Sequence, residues 1–147
     1  MPEGERRLNE NEVIASVRTY LSGRHFHDIR CRTTTQHGID IVATFPGGRG
    51  ELWIEAKGAI SSKPRTRRYV KGFSASQRWD HMAKAVYTTL RYLSASRDPR
   101  PRGVGIAVPL EQREELVEPI RPVLTQLGIV VFLVSHDRTV KVIGRLI

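Results

Sequence analysis

One stretch constrains this chain more than any other, residues 38–57. Two runs rich in β-branched and aromatic residues, 38–45 and 50–57, flank a Pro46-Gly47-Gly48-Arg49 cluster, and this pattern reads as two antiparallel strands joined by a tight loop. If Phe45 faces Gly50 across the loop, paired residue numbers sum to a constant. Ile41 then lies opposite Ile54, and Asp40 opposite Glu55. Strand side chains alternate in direction, so Asp40, Glu55 and Lys57 share one face of the hairpin. Ile39, Ile41, Ala43, Leu52, Ile54 and Ala56 share the other, which is apolar and belongs to the core.

Directly opposed residues have Cβ atoms about 5 Å apart, and like charges there destabilise a sheet. At that distance and an effective dielectric of about 20, two carboxylates repel by about 3 kcal/mol, which one lysine only partly offsets. A hard divalent cation such as Mg2+ suits the pair. It binds through one or two carboxylates, keeps several waters and can hold a substrate phosphate as well. Lys57, on the same side, is placed to polarise an attacking water or steady negative charge developing on phosphorus.

Gly38-Ile39-Asp40, a spacer, then Glu55-Ala56-Lys57 resembles the signature of the PD-(D/E)xK nuclease superfamily, which includes restriction endonucleases and Holliday junction resolvases. The motif spans about a seventh of the chain, and Ile39 stands where the superfamily has its proline. The resemblance implies a restriction-endonuclease-like three-layer α/β core with a central mixed sheet in α-β-β-β-α-β order, followed by a C-terminal helix and strands. It implies Mg2+, or Mn2+ in its place, held by Asp40, Glu55 and the carbonyl of Ala56, with Lys57 orienting the water. Such proteins often add a glutamate from the first helix, here Glu12, with Glu10 or Glu5 as alternatives. A polar residue early in the helix after the E-x-K strand often reaches the site, and Gln77 or His81 occupies that place.

The rest of the chain agrees with that order. Residues 5–22 read as a helix with Leu8, Val13, Val17, Tyr20 and Leu21 inward, and 24–35 contains a strand that extends the hairpin into a three-stranded meander. His25 and His27 read as surface residues. A helix capped by Ser74 or Ser76 runs to about residue 95, with Trp79, Met82, Ala83, Val86, Leu90 and Leu93 as its buried stripe. Strand 104–108, a helical segment at 110–127 broken near Pro119 and Pro122, a buried strand 129–134, a turn at 136–138 and an edge strand 139–143 complete the chain. At 147 residues it fits a single domain, 1–147.

Charge points to the partner. Lys and Arg number 24 against 15 Asp and Glu, a net +9, which favours a polyanion through counterion release. The excess concentrates in a basic loop at 58–74, where Lys63, Arg65, Arg67, Arg68 and Lys71 occur with no acid among them, and Tyr69 and Phe73 are available to stack. Duplex or branched DNA is the expected partner, and a homodimer is what the resemblance implies, since one site cuts one strand. No apolar run approaches a membrane span and no signal-peptide core is present, so no membrane and a cytoplasmic location are expected. Cys31 is the only cysteine, leaving neither an internal disulfide nor a thiolate zinc site. The expected function is a Mg2+-dependent DNA endonuclease; the alternative is a non-catalytic nucleic-acid-binding module on the same fold.

Overall fold

The computed structural model describes residues 7–32, 38–60, 72–95, 101–111 and 113–146. The chain runs α1 (Glu10–Ser22), β1 (His27–Cys31), β2 (Ile41–Thr44), β3 (Glu51–Ala56), α2 (Ala75–Leu93), β4 (Gly103–Pro109), α3 (Glu114–Val117), α4 (Arg121–Leu127), β5 (Ile129–Val134) and β6 (Val140–Ile143). The strands form one six-stranded sheet in the order β1-β2-β3-β4-β5-β6. It is mixed: β1, β2 and β3 form an antiparallel meander, β3, β4 and β5 are parallel, and β6 returns antiparallel to β5. The fold is therefore α/β, with helices packed on both faces of a mixed sheet.

The hairpin takes the register that its loop dictates. Phe45 N–H donates to Gly50 O at 2.9 Å, and Ile41 lies opposite Ile54. A turn of 3-10 helix at Pro46–Gly48 closes the loop, with Gly47 and Gly48 at φ 80° and 70°, a left-handed region that side chains other than glycine's resist.

Two apolar cores lie on the two sides of the sheet. The first packs Val13, Val17 and Leu21 of α1 against Ile41, Ala43, Leu52, Ile54, Ala56 and Phe132. The second packs Met82 and Ala85 of α2, with Val117 and Leu124, against Val104, Ile106, Val108, Val131 and Leu133. Strands β4 and β5 therefore bury both faces, which is why β5 is a continuous apolar run.

Three expectations need correction. Helix α1 starts later than residue 5, because Asn9 caps it; Leu8 is extended and buried, and its carbonyl accepts from Ala59 N–H at 2.7 Å. The C-terminal helical segment starts at Glu114 and breaks at Glu118–Ile120, beside Pro119. The largest difference is in α2, where Met82 is buried and Val86 packs on the second core as expected, but the rest of the expected inward stripe is turned toward solvent. Trp79 is 62% exposed, and Ala83, Leu90 and Leu93 are exposed too. Beside Met82, the residues that meet the sheet are His81, Ala85, Thr89 and Tyr92, with Ala85 and Thr89 fully buried and the Tyr92 ring edge-on to Trp53 at 5.6 Å. Ala85 packs in the aliphatic core over β4, whereas His81 and Tyr92 lie within reach of the charges of Lys57 and Glu55.

Beyond β3 the chain passes directly under the start of α1. A Cβ added to Gly58 would stand 2.4 Å from Glu10 N and 2.7 Å from Asn9 C, both main-chain atoms. Replacement of Gly58 by Ala is expected to lower stability by about 3 kcal/mol, read from the urea midpoint at unchanged m-value. An unaltered midpoint would mean that the two segments do not meet this closely.

Candidate active site

The site forms where β2 ends its pairing with β3. Phe45 and Gly50 form a hydrogen-bonded pair, as do alternate pairs along the ladder, so Asp40 and Glu55 fall at a position without ladder hydrogen bonds, where opposed side chains stand closest. Asp40 lies just outside β2, and there its side chain replaces the main chain. Asp40 Oδ2 accepts from Ala56 N–H at 2.8 Å, while its main-chain oxygen accepts from Arg32 N–H at 2.9 Å. Lys57 continues the parallel ladder through its N–H to Ala107 O at 2.9 Å. Its Nζ stands 3.8 Å from Glu55 Oε2.

These carboxyls perturb one another. Burial pushes Glu55 up to about 8, with further upward contributions from its hydrogen bond to Asp40, from the Asp40 charge and from Glu10, while Lys57 pulls it down. Glu10 is pushed up to about 7, first by burial and then by Asp40, again against Lys57. The Tyr92 hydroxyl is raised by burial and by the charges of Glu55 and Asp40. Burial and the Asp40 carboxylate together favour the protonated form of Glu55. Asp40, Glu55 and Lys57 meet at the carboxyl end of β3, with Glu10 within electrostatic reach.

The first helix contributes Glu10, not Glu12. Because Asn9 caps α1, Glu12 is the third helical residue and completes a capping box: its Oε1 accepts from Asn9 N–H at 3.1 Å, and Asn9 Oδ1 accepts from Glu12 N–H at 2.9 Å. Glu12 Oε2 pairs with Arg138 at 3.0 Å. Gln77 has the same capping role in α2, its Oε1 accepting from Ser74 N–H at 3.0 Å. His81, one turn later, faces the site as Tyr92 does: Lys57 acts on it, and its ring meets Phe73 edge-on at 4.4 Å. Both displacements were legible as S/N-x-x-E/Q signatures, Asn9 to Glu12 and Ser74 to Gln77. Glu12→Ala is expected to cost about 1 kcal/mol in stability and to leave any activity within a few-fold, whereas Glu10→Gln lowers metal affinity with little loss of stability. Calorimetric titration of Mg2+ or Mn2+ beside thermal melts separates the two.

Lys63, Arg65, Arg67, Arg68, Lys71 and Tyr69, and likewise Glu5, lie outside the described residues. His27 is exposed and pairs with Asp28 at 3.2 Å. Among the described residues no group of three or more His, Cys, Asp or Glu is arranged to hold a metal ion, and no helix is long and apolar enough to cross a membrane. Asp40 and Glu55 are a pair of oxygen donors of the kind a hard cation takes, and Glu10 is within electrostatic reach of Asp40. No family model, curated protein or solved structure matches the chain.

Proposed function

We propose that the protein is a metal-dependent endonuclease that hydrolyses phosphodiester bonds of duplex or branched DNA, built on the plan of the PD-(D/E)xK nucleases. The observation that carries this reading is the juxtaposition of Asp40 and Glu55 across the end of the hairpin, with Asp40 Oδ2 held by Ala56 N–H at 2.8 Å and Lys57 Nζ 3.8 Å from Glu55 Oε2; burial pushes Glu55 up in the same place. Electrostatic strain of this kind, at the end of a buried strand, belongs to a working site more often than to a structural ion pair. The element order, with a meander, a helix and a parallel strand after the leading helix, and the net charge of +9 support it.

In this reading Asp40, Glu55 and the Ala56 carbonyl hold Mg2+ or Mn2+, with Glu10 in the place expected of Glu12. Bound there, the ion lowers the pKa of its water and offsets phosphate charge. Lys57 holds the water for attack on phosphorus and stabilises the charge that gathers on the non-bridging oxygens. The phosphorus–O3′ bond breaks, the leaving oxygen takes up a proton, and the product end carries the 5′-phosphate. Two copies of the chain, each cutting one strand, act on one substrate.

The second reading, a binding module without catalysis, is favoured by the want of a three-residue ligand group among the described residues. Supercoiled and branched DNA incubated with Mg2+, Mn2+ or EDTA decides between them. Nicking that requires the metal and is lost in Asp40→Ala and Lys57→Ala supports the enzyme; full binding without any cleavage supports the module.

A further inference from the structure

Among the described residues, Arg113 is a buried charge with no ion pair. It is 5% exposed, and the hydrogen bonds its guanidinium makes to them go to main-chain carbonyls, Nη1 to Glu111 O at 3.2 Å and Nη2 to Gly58 O at 3.3 Å. Among the described residues no carboxylate lies within ion-pair distance of it. Burial pulls it down to about 10; Arg78 and Arg7 pull the same way, and the Glu111 carboxylate only partly opposes them. Removing a charge from water is costly unless a counter-charge or a full set of hydrogen bonds replaces the solvent.

A second orphaned group stands beside it. His81 Nδ1 is buried and has no hydrogen-bond partner, and the charges of both Lys57 and Arg113 act on this ring. The main chain ties the cluster together. Phe73 N–H donates to Ala59 O at 3.2 Å, Arg78 Nη1 donates to Phe73 O at 2.9 Å, and Arg113 holds Gly58, the residue after Lys57. Residues 61–71, the sequence between these tied segments, contain five Lys and Arg and no Asp or Glu.

We propose that Arg113, Arg78 and His81 form a seat for a second phosphate, that of the nucleotide adjoining the bond held at Asp40, Glu55 and Lys57. Guanidinium N–H groups and an imidazole suit a phosphate oxyanion, because charge-assisted hydrogen bonds from a planar donor are strong and directional. Gly58 links the seat to the carboxylate pair, so a strand whose phosphate rests against Arg113 is fixed in register beside the metal ligands. Placing this phosphate in a nucleic-acid strand rests on the function proposed above; the need for an anion does not.

The test uses the full chain in EDTA, with fluorescence anisotropy of a labelled short DNA duplex over a salt series. Arg78→Gln and Arg113→Gln are each expected to weaken binding about ten-fold and to reduce the salt slope by about 1. Arg113→Lys restores part of the loss. Because Arg113 is buried, the wild-type protein provides a second readout. The His81 ring resonances shift on addition of inorganic phosphate and not of chloride, while those of His136 stay in place. Unchanged binding and slope in Arg78→Gln together with an immobile His81 signal would overturn the seat, even if Asp40→Asn abolished cleavage. Weakened binding in Arg78→Gln with no metal-dependent cleavage by the wild type would keep the seat and remove the nuclease. A His81 shift with inorganic phosphate that the duplex does not compete away would assign the seat to free phosphate and overturn its place in the strand.

Discussion

Asp40→Asn is expected to reduce metal-dependent DNA nicking by on the order of 10³-fold while leaving the protein folded. The amide keeps one oxygen to accept from Ala56 N–H, as Asp40 Oδ2 does at 2.8 Å. It loses the charge that the cation requires. Relieved of that neighbour, Glu55 comes down but stays above an ordinary carboxyl, since burial, the largest cause, remains while the hydrogen bond to Asp40 and the Asp40 charge are lost. The signature is thus double: lost cleavage and an altered titration of Glu55, the latter followed by carboxyl carbon NMR. Lys57→Ala is expected to cost a similar factor in rate. It raises Glu55 further, because Lys57 is the group that pulls both Glu55 and Glu10 down. Nicking that survives both substitutions would place the chemistry elsewhere or remove it.

The second large effect is on stability. Glu55 is raised from 4.5 to about 8 and Glu10 from 4.5 to about 7, so between those values the folded protein binds more protons than the unfolded chain. Stability therefore falls as pH rises through this window, by on the order of 3 kcal/mol once the water that still reaches these groups is allowed for. Below the unfolded value both states are protonated and the effect disappears. Without divalent cations the melting temperature should be higher near pH 5.5 than near pH 8.5. Mg2+ or Mn2+ should raise it more at pH 8.5, because the ion binds the deprotonated pair. Asp40→Asn should flatten both dependences. A melting temperature that rises steadily from pH 5.5 to 8.5 in EDTA would show that the carboxyls are not strained.

The hairpin was legible because its register follows from one loop and its faces from alternation, so the sequence alone set Ile41 opposite Ile54. The continuous apolar run of β5 was equally readable, since only burial on both faces accommodates it. Helix residues were harder. Apolar periodicity marked Trp79, Leu90 and Leu93 of α2, yet periodicity reports which residues are greasy and not which surface lies opposite. The surface opposite is aliphatic over β4 and carries Trp53 and Glu55 on β3 and Lys57 just beyond it, so Met82, Ala85, Thr89 and His81 turn inward while Trp79, Leu90 and Leu93 do not. For Glu12 and Gln77 the difficulty was one of competition. Each side chain was read as a site group, but each lies three residues after a capping residue, and the cap takes the carboxylate or amide first. Arg113 carried no sequence signal, because nothing in its local context distinguishes a buried arginine from a solvated one.

The close passage of Gly58 beneath Asn9 and Glu10 couples two things that many proteins keep apart. The opening turn of a helix ordinarily frays at little cost. Here any loosening of that turn pulls Glu10 from its acidic companions and frees the strand end that carries Lys57. In the proposed enzyme, mutations that merely soften this corner are expected to lower activity before they register as unfolding.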